Sequence, residues 1–187
     1  MFKTLFTAAL ALCLLASAPA QAASYKATPD SSSIAFSGTH AGTPFTGTFE
    51  RYVVDIDFDP ANVAATSIRA TIDLESAKTG NKMFDGTLPN EDWFDIKNTP
   101  NGLFKSTAVE KLADGSYQVT GDLTLRGITK PVTFAFTLDR EDAPEINASA
   151  TLTVDRLAYD IGKKSDGNAE WVSKDIGITL KLIAKKQ

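Results

Sequence analysis

One cysteine and one histidine, Cys13 and His40, are all that the 187 residues offer to soft-metal or redox chemistry. A Cys/His zinc site, an iron–sulfur cluster and a disulfide scaffold are each short of ligands. No Cys-x-x-Cys-His attaches haem, no Gly-x-Gly-x-x-Gly cradles a dinucleotide, and no Walker loop is present, so no cofactor is expected. Basic clusters are missing too. Lys and Arg number 19 against 23 Asp and Glu, for a formal net charge of −4. Phosphate neutralisation needs clustered cations, which excludes nucleic acid as a partner. What remains is ordinary globular composition, 43% hydrophobic and 22% charged, in a length suited to about one domain.

Residues 1–22 read as an export signal. Lys3 supplies the positive end, Leu5 to Ala16 an apolar run too short to span a bilayer comfortably, and Ala20-Gln21-Ala22 a small-x-small cleavage site. Cys13 lies inside the apolar run, with Leu12 before it where a lipoprotein would need a small residue. The expectation is a periplasmic protein, residues 23–187, with no Cys and held together by its core alone.

Period-two alternation then recurs nearly to the end, the mark of strands with one buried face. Ile34 and Phe36 alternate with small or polar residues, as do Phe45, Gly47 and Phe49. Tyr52, Val54, Ile56 and Phe58 follow in a phase that does not match across Arg51, which predicts a kink or bulge near 50–52. Further stripes are Ile68–Leu74, a weaker one around Phe104, Tyr117–Leu125, Val132–Leu138, Ile146–Val154 and Ile176–Ala184. About eight or nine short-spaced strands favour an antiparallel sandwich or barrel. Asp114-Gly115 suggests a type I′ hairpin turn, Arg126–Lys130 a second hairpin tip, and Pro131 sits where a strand should begin. The stretch 75–100 lacks alternation and carries Met83, Phe84, Leu88, Trp93, Phe94 and Ile96. It reads as a long connection with one or two helical turns, of a length that usually has a function or covers something.

Catalytic constellations are thin. A triad through His40 lacks the strand–Gly-x-Ser-x-Gly–helix context, leaving His40 as a strand-end or turn residue. Asp55, Asp57 and Asp59 are spaced like the start of a calcium loop, but Pro60 and Thr66 stand where Gly and Glu are needed. Alternation places the three carboxylates on a solvated face. Asp92 and Asp95, flanking Trp93-Phe94, do not by themselves make an acid–base pair. No enzyme is expected. The aromatics carry more information. A packed core is the plain reading of each Phe, yet a barrel of about eight strands has an interior wide enough for side chains or for one slender ligand.

Thr120-Gly-Asp-Leu-Thr-Leu-Arg-Gly-Ile-Thr-Lys-Pro-Val-Thr-Phe134 resembles the hallmark segment of the YceI-like family. Three more segments match in order: Tyr25–Phe36 resembles its opening strand, Gly86–Asp95 its short helical insert, and Thr153–Gly162 its penultimate strand and following turn. The resemblance implies an all-β fold, an exported eight-stranded antiparallel lipocalin-like β-barrel with a short helical insert. Some members hold a polyisoprenoid or other long-chain lipid. The family's opening strand often carries a His where this chain has Ser31-Ser32. Residues 160–172 also look like members associated with membrane b-type cytochromes, which suggests a quinone or a cytochrome partner.

Two classes of function follow, a carrier of an apolar lipid or isoprenoid (a quinone among them) and an accessory of a redox system. A stress protein without a ligand is the plain alternative. By strand phase, Phe36, Phe49, Ile72, Phe104, Leu125, Phe134 and Phe136 are expected to point into the barrel and touch the ligand. A polar head needs polar groups at one mouth. Arg126 and Lys130 offer two cations there, and Trp93-Phe94 an apolar lid as the rival.

Overall fold

The structure, a computed structural model, describes residues 22–139 and 143–187. The expected export signal, with Cys13 inside it, lies outside the described residues apart from its last position.

Eleven strands form one sheet: β1 (Ala23–Ala27), β2 (Ser33–His40), β3 (Thr43–Phe49), β4 (Tyr52–Phe58), β5 (Ser67–Asp73), β6 (Ala77–Lys78), β7 (Asn101–Lys111), β8 (Tyr117–Leu125), β9 (Ile128–Asp139), β10 (Glu145–Asp155) and β11 (Asp175–Lys186). Their order is β1-β4-β5-β7-β8-β9-β10-β11-β2-β3-β6, and a further β1–β11 pairing closes the ring. β1 and β2 lie end to end along the same edge of β11, and β3 and β4 continue one another against them. Counted as staves, this is an eight-stranded antiparallel barrel with very little helix. Closure removes the sheet edges that an open sheet would leave exposed.

Local features explain where the alternation broke. Glu50-Arg51 separates β3 from β4, at the phase change seen in the sequence. The weak stripe around Phe104 belongs to a full strand whose register shifts between Ser106 and Ala108. That bulge inserts one residue and reverses the phase, so Phe104 and Val109 both face inward although they are five positions apart. Three turn expectations need correction. In the 112–116 turn only Gly115 of the Asp114-Gly115 pair has positive φ, 87°, and Gly115 N–H donates to the Leu112 carbonyl at 3.1 Å. This is a type I turn followed by a left-handed glycine, not type I′. The type I′ geometry falls instead at Arg126-Gly127, with φ of 50° and 73°, so that turn has two residues and Lys130 already lies within β9. Pro131 is likewise inside β9. The β9–β10 ladder covers only Phe136–Asp139 against Asn147–Ala150, so the missing N–H falls where β9 has lost its β10 neighbour.

The two barrel ends differ. At one, Tyr25, Phe58, Tyr117, Ile146 and Ala184 are almost fully buried. The Tyr117 ring stacks on Phe136 at 5.2 Å and meets Phe58 edge-on at 5.9 Å, forming a floor. At the other end the 74–100 connection lies over the barrel. It contains a 3-10 turn at Leu74–Ser76 and one α-helix, α1 (Lys82–Thr87), begun by the Asn81 side chain, which accepts from Met83 N–H and Phe84 N–H. The loop 156–174, between β10 and β11, lies beside it.

Candidate functional site: an apolar cavity under a clasped cap

Between floor and cap the barrel encloses a cavity of about 220 Å³. Phe36, Phe49, Ile72, Phe104, Leu125, Phe134 and Phe136 all line it, and Trp93 and Phe94 line it from the cap. Many inward side chains in the middle layer, among them Ile68, Ile72, Phe104, Phe134 and Leu180, are only half-buried. In a solid core these positions would be covered by packing to crystal-like density. Here their inner surfaces face open space, because small residues (Ala70, Ala148, Ala150) occupy facing positions of the same layer. Two glycines let aromatic rings lie close to the wall. A Cβ on Gly47 would come within 2.2 Å of Phe36 Cζ, and one on Gly121 within 2.5 Å of Phe104 Cζ.

The one charged side chain lining this cavity among the described residues, Arg156, is fully committed elsewhere. Its Nη2 meets Asp166 Oδ2 at 2.6 Å and the Val172 carbonyl at 2.8 Å; Nη1 donates to the Ile161 carbonyl at 2.7 Å and Nε to the Ser173 carbonyl at 3.1 Å. The guanidinium also sits 5.6 Å from the centre of the Trp93 ring. Asp166 accepts from Trp171 N–H and Val172 N–H as well. Burial works to raise the Asp166 carboxyl, but those amides and Arg156 outweigh it and hold it below the usual carboxylate range. Burial likewise pushes Arg156 down, against the pull of Asp166. The pair shapes the 156–174 loop and leaves the cavity wall apolar.

A second set of bonds clasps the connection to the loop. The Asp92 carboxylate accepts from Lys164 N–H at 2.8 Å, from Ser165 N–H at 2.8 Å and from the Ser165 hydroxyl at 2.6 Å, while its carbonyl accepts from Gly162 N–H at 2.6 Å. Burial would raise this carboxyl; the Ser165 hydroxyl and the two amides bring it below the usual range. Arg126 closes the same side, donating to the Asp160 carbonyl and, at 2.6 Å, to the Glu91 carbonyl. The expected cationic mouth is therefore divided. Arg126 is tied into the cap. Lys130 shares the inward phase of Val132 and Phe134 but is not among the residues that line the cavity.

Beside this clasp the cap is open. A vestibule of about 340 Å³ is lined by His40, Thr79, Met83, Phe84, Thr87, Ser165, Asp166 and Trp171, and shares Phe36, Phe45, Leu88, Trp93 and Val172 with the cavity. Phe84 touches the β2–β3 hairpin through ring contacts, 5.0 Å to His40 and 6.0 Å to Phe45. Sequence reading left these mouth residues unassigned, along with Arg156, Asp166 and the clasp made by Asp92. The apolar content of the long connection was a signal for Met83 and Phe84; His40, Arg156, Asp166 and Trp171 lie outside it.

Barrel, floor and capped apolar cavity with a vestibule beside α1 define a lipocalin-like architecture. The chain matches the YceI-like domain model over residues 25–184 and belongs to that family. A UPF0312 protein of Pseudomonas putida is 30% identical over 98% of both chains. BcnA of Burkholderia cenocepacia has a similar solved structure, with a TM-score of 0.79 and 28% identity over 84% of this chain and 98% of its own. A polyisoprenoid binding domain from Saccharophagus degradans, described as implicated in plant cell wall breakdown, shares the fold with a TM-score of 0.69 at 16% identity, over 89% of this chain and all of that one.

Proposed function

We propose that this protein binds a long-chain isoprenoid or another apolar lipid inside the barrel and carries it through an aqueous compartment without chemistry of its own. The carrying observation is the uncovered inner layer. Phe104, Phe134, Ile68 and Leu180 point into the barrel and keep surface free that only an apolar occupant would cover favourably. Such coverage is worth ~25 cal/mol per Å². Mostly apolar lining is what ligand pockets generally show. The structural neighbour described as a polyisoprenoid binding domain supports the ligand class. Export through residues 1–22, with Ala23 as the first mature residue, belongs to the same reading, and N-terminal sequencing of the secreted protein tests it. Neither a quinone head nor a cytochrome partner is named for the relatives above, and neither is part of the reading.

Native mass spectrometry of the gently purified, exported protein tests the ligand. Wild type should carry an added lipid-sized mass. Ala150→Phe, which places a ring into the middle layer opposite the Phe136 position, should fold and lack that mass. A wild type without any adduct, and without uptake of added isoprenoid, counts against the reading.

A further inference from the structure

An apolar cargo has to enter somewhere, and the cap decides where. On one side, Asp92, Arg126 and the Lys164–Glu91 ion pair at 2.6 Å fasten the connection to the loop. Beside this clasp, α1 meets the β2–β3 hairpin through the Phe84 ring, and the vestibule opens between them. Four large hydrophobic side chains are exposed among the described residues: Val53, Leu103, Met83 and Trp171. Val53 and Leu103 stand on the outer barrel wall, both opposite Thr71. The other two, Met83 at 65% and Trp171 at 57%, both border the vestibule. They come from α1 and from the 156–174 loop, segments that no pattern in the sequence links.

The one charged side chain lining the vestibule among the described residues is Asp166, buried and paired with Arg156, and the rest of the rim is short of charge. The hairpin tip Ala41-Gly42-Thr43-Pro44 has none, the turn before α1 is Thr79-Gly80-Asn81, and the loop beside Trp171 reads Gly167-Asn168-Ala169-Glu170. Asp85 is already occupied by Thr79, whose N–H and hydroxyl both reach it at 2.7 Å. Lys82 and Glu170 are the charged neighbours of Met83 and Trp171, one of each sign. A surface of this kind costs little to remove from water, and Trp and Met are side chains suited to the bilayer interface.

We propose that this rim, led by Met83 and Trp171, docks on a lipid bilayer, so that the vestibule opens onto the membrane and the cargo passes between bilayer and cavity without crossing water. The choice of a bilayer over a protein partner follows from continuity: the vestibule shares Phe36, Phe45, Leu88, Trp93 and Val172 with the cavity behind it. A long apolar lipid resides in membranes, and a protein cover over this opening would block the path. Among the described residues no Lys or Arg lines the vestibule, and the nearby Lys163 and Lys164 are paired with Asp160 and Glu91, so docking uses apolar insertion and does not require anionic lipid. The inference takes its occupant from the lipid reading above, but its test is separate.

Flotation with phosphatidylcholine vesicles provides that test on the full mature chain. Wild type should float with the vesicles. Emission of Trp171, one of two tryptophans and the exposed one, should shift to the blue as it leaves water. Met83→Ser with Trp171→Ser should fold normally and lose vesicle association by about tenfold or more, as removal of two inserted side chains demands. Ala150→Phe should float like wild type although its cavity is filled. A wild type that stays unbound, or a double variant that floats undiminished, overturns the docking surface. Either result leaves the lipid reading to stand or fall on the mass measurement. Loss of lipid in Ala150→Phe together with normal flotation separates the two claims in the other direction.

Discussion

Arg156 and Asp166 meet at 2.6 Å with their side chains 3% and 5% exposed, ten residues apart in a loop without regular strand or helix beyond its first turn. Beyond that turn the loop follows no periodic pattern; the pair supplies the organising contact instead, drawing the carbonyls of Ile161, Val172 and Ser173 around one guanidinium. Removing one partner strands the other charge. Arg156→Met should therefore destabilise by ~3–5 kcal/mol, because an unpaired buried carboxylate remains. Asp166→Asn keeps a hydrogen-bond acceptor and should cost less. Guanidinium unfolding of the three proteins checks the order; equal stability of wild type and Arg156→Met would show that the pair does not organise the loop.

The pH dependence has a sign at each end. Asp92 and Asp166 have folded carboxyls below the ordinary range, so their ionised forms stabilise the fold. That contribution is complete above the unfolded value, about 3.9, and is lost as the pH falls through the lower folded values. Tyr52 behaves in the opposite sense. Burial pushes its hydroxyl up to about 12. The stability it contributes is present below the unfolded value, about 10, and is lost as the pH rises toward the folded one. Thermal unfolding should show a plateau between these limits. Asp92→Asn should flatten the acid limb, and Tyr52→Phe the alkaline limb.

Arg126 and Lys130 looked equivalent in sequence, four residues apart at a hairpin, and they should not behave alike. Arg126 bonds two carbonyls of the cap and should lose ~1–3 kcal/mol on mutation to Ala, since those carbonyls are left unpaired in a partly buried place. Lys130→Ala should fall within about 0.5 kcal/mol of wild type, the usual range for a substitution away from such features. Lipid content read in Lys130→Ala alone tests a cationic mouth without disturbing the cap. A loss of lipid there would restore that mouth.

Strand phase made the inner face legible. Phe36, Phe49, Ile72, Leu125, Phe134 and Phe136 were placed by counting in twos, and the phase break at Arg51 fell at the β3–β4 junction. Phe104 needed the bulge at 106–108, which adds one residue to β7 and hides the alternation. The cap was not legible in the same way. Its bonds join residues far apart, Asp92 to Ser165 across 73 positions, and no local period records them. For the same reason Arg126 read as a free cation: both of its carbonyl partners come from distant loops. Met83 and Trp171 stand in segments without alternation and His40 at the far end of β2, so their meeting at one mouth became visible only in three dimensions.

Phe36 and Gly47 are direct cross-strand partners, and they set the width of the cavity near its mouth. The ring occupies the space that a side chain on Gly47 would take: an added Cβ would lie 2.2 Å from Cζ and 2.7 Å from both Cε atoms. Gly47→Ala therefore cannot be absorbed by a small rotation; the ring has to move away from the wall, into the cavity. The expected cost is ~1–3 kcal/mol, typical of overpacking, with a parallel loss of bound lipid. Phe36→Ala alone should also destabilise, by ~3–5 kcal/mol, through lost burial. Combined, the two changes should cost less than their sum, because the clash disappears once the ring is gone. A double-mutant cycle in guanidinium unfolding measures this coupling. Strict additivity would mean that the Phe36 ring does not rest on Gly47 in solution, and the cavity would then have a different wall at this position.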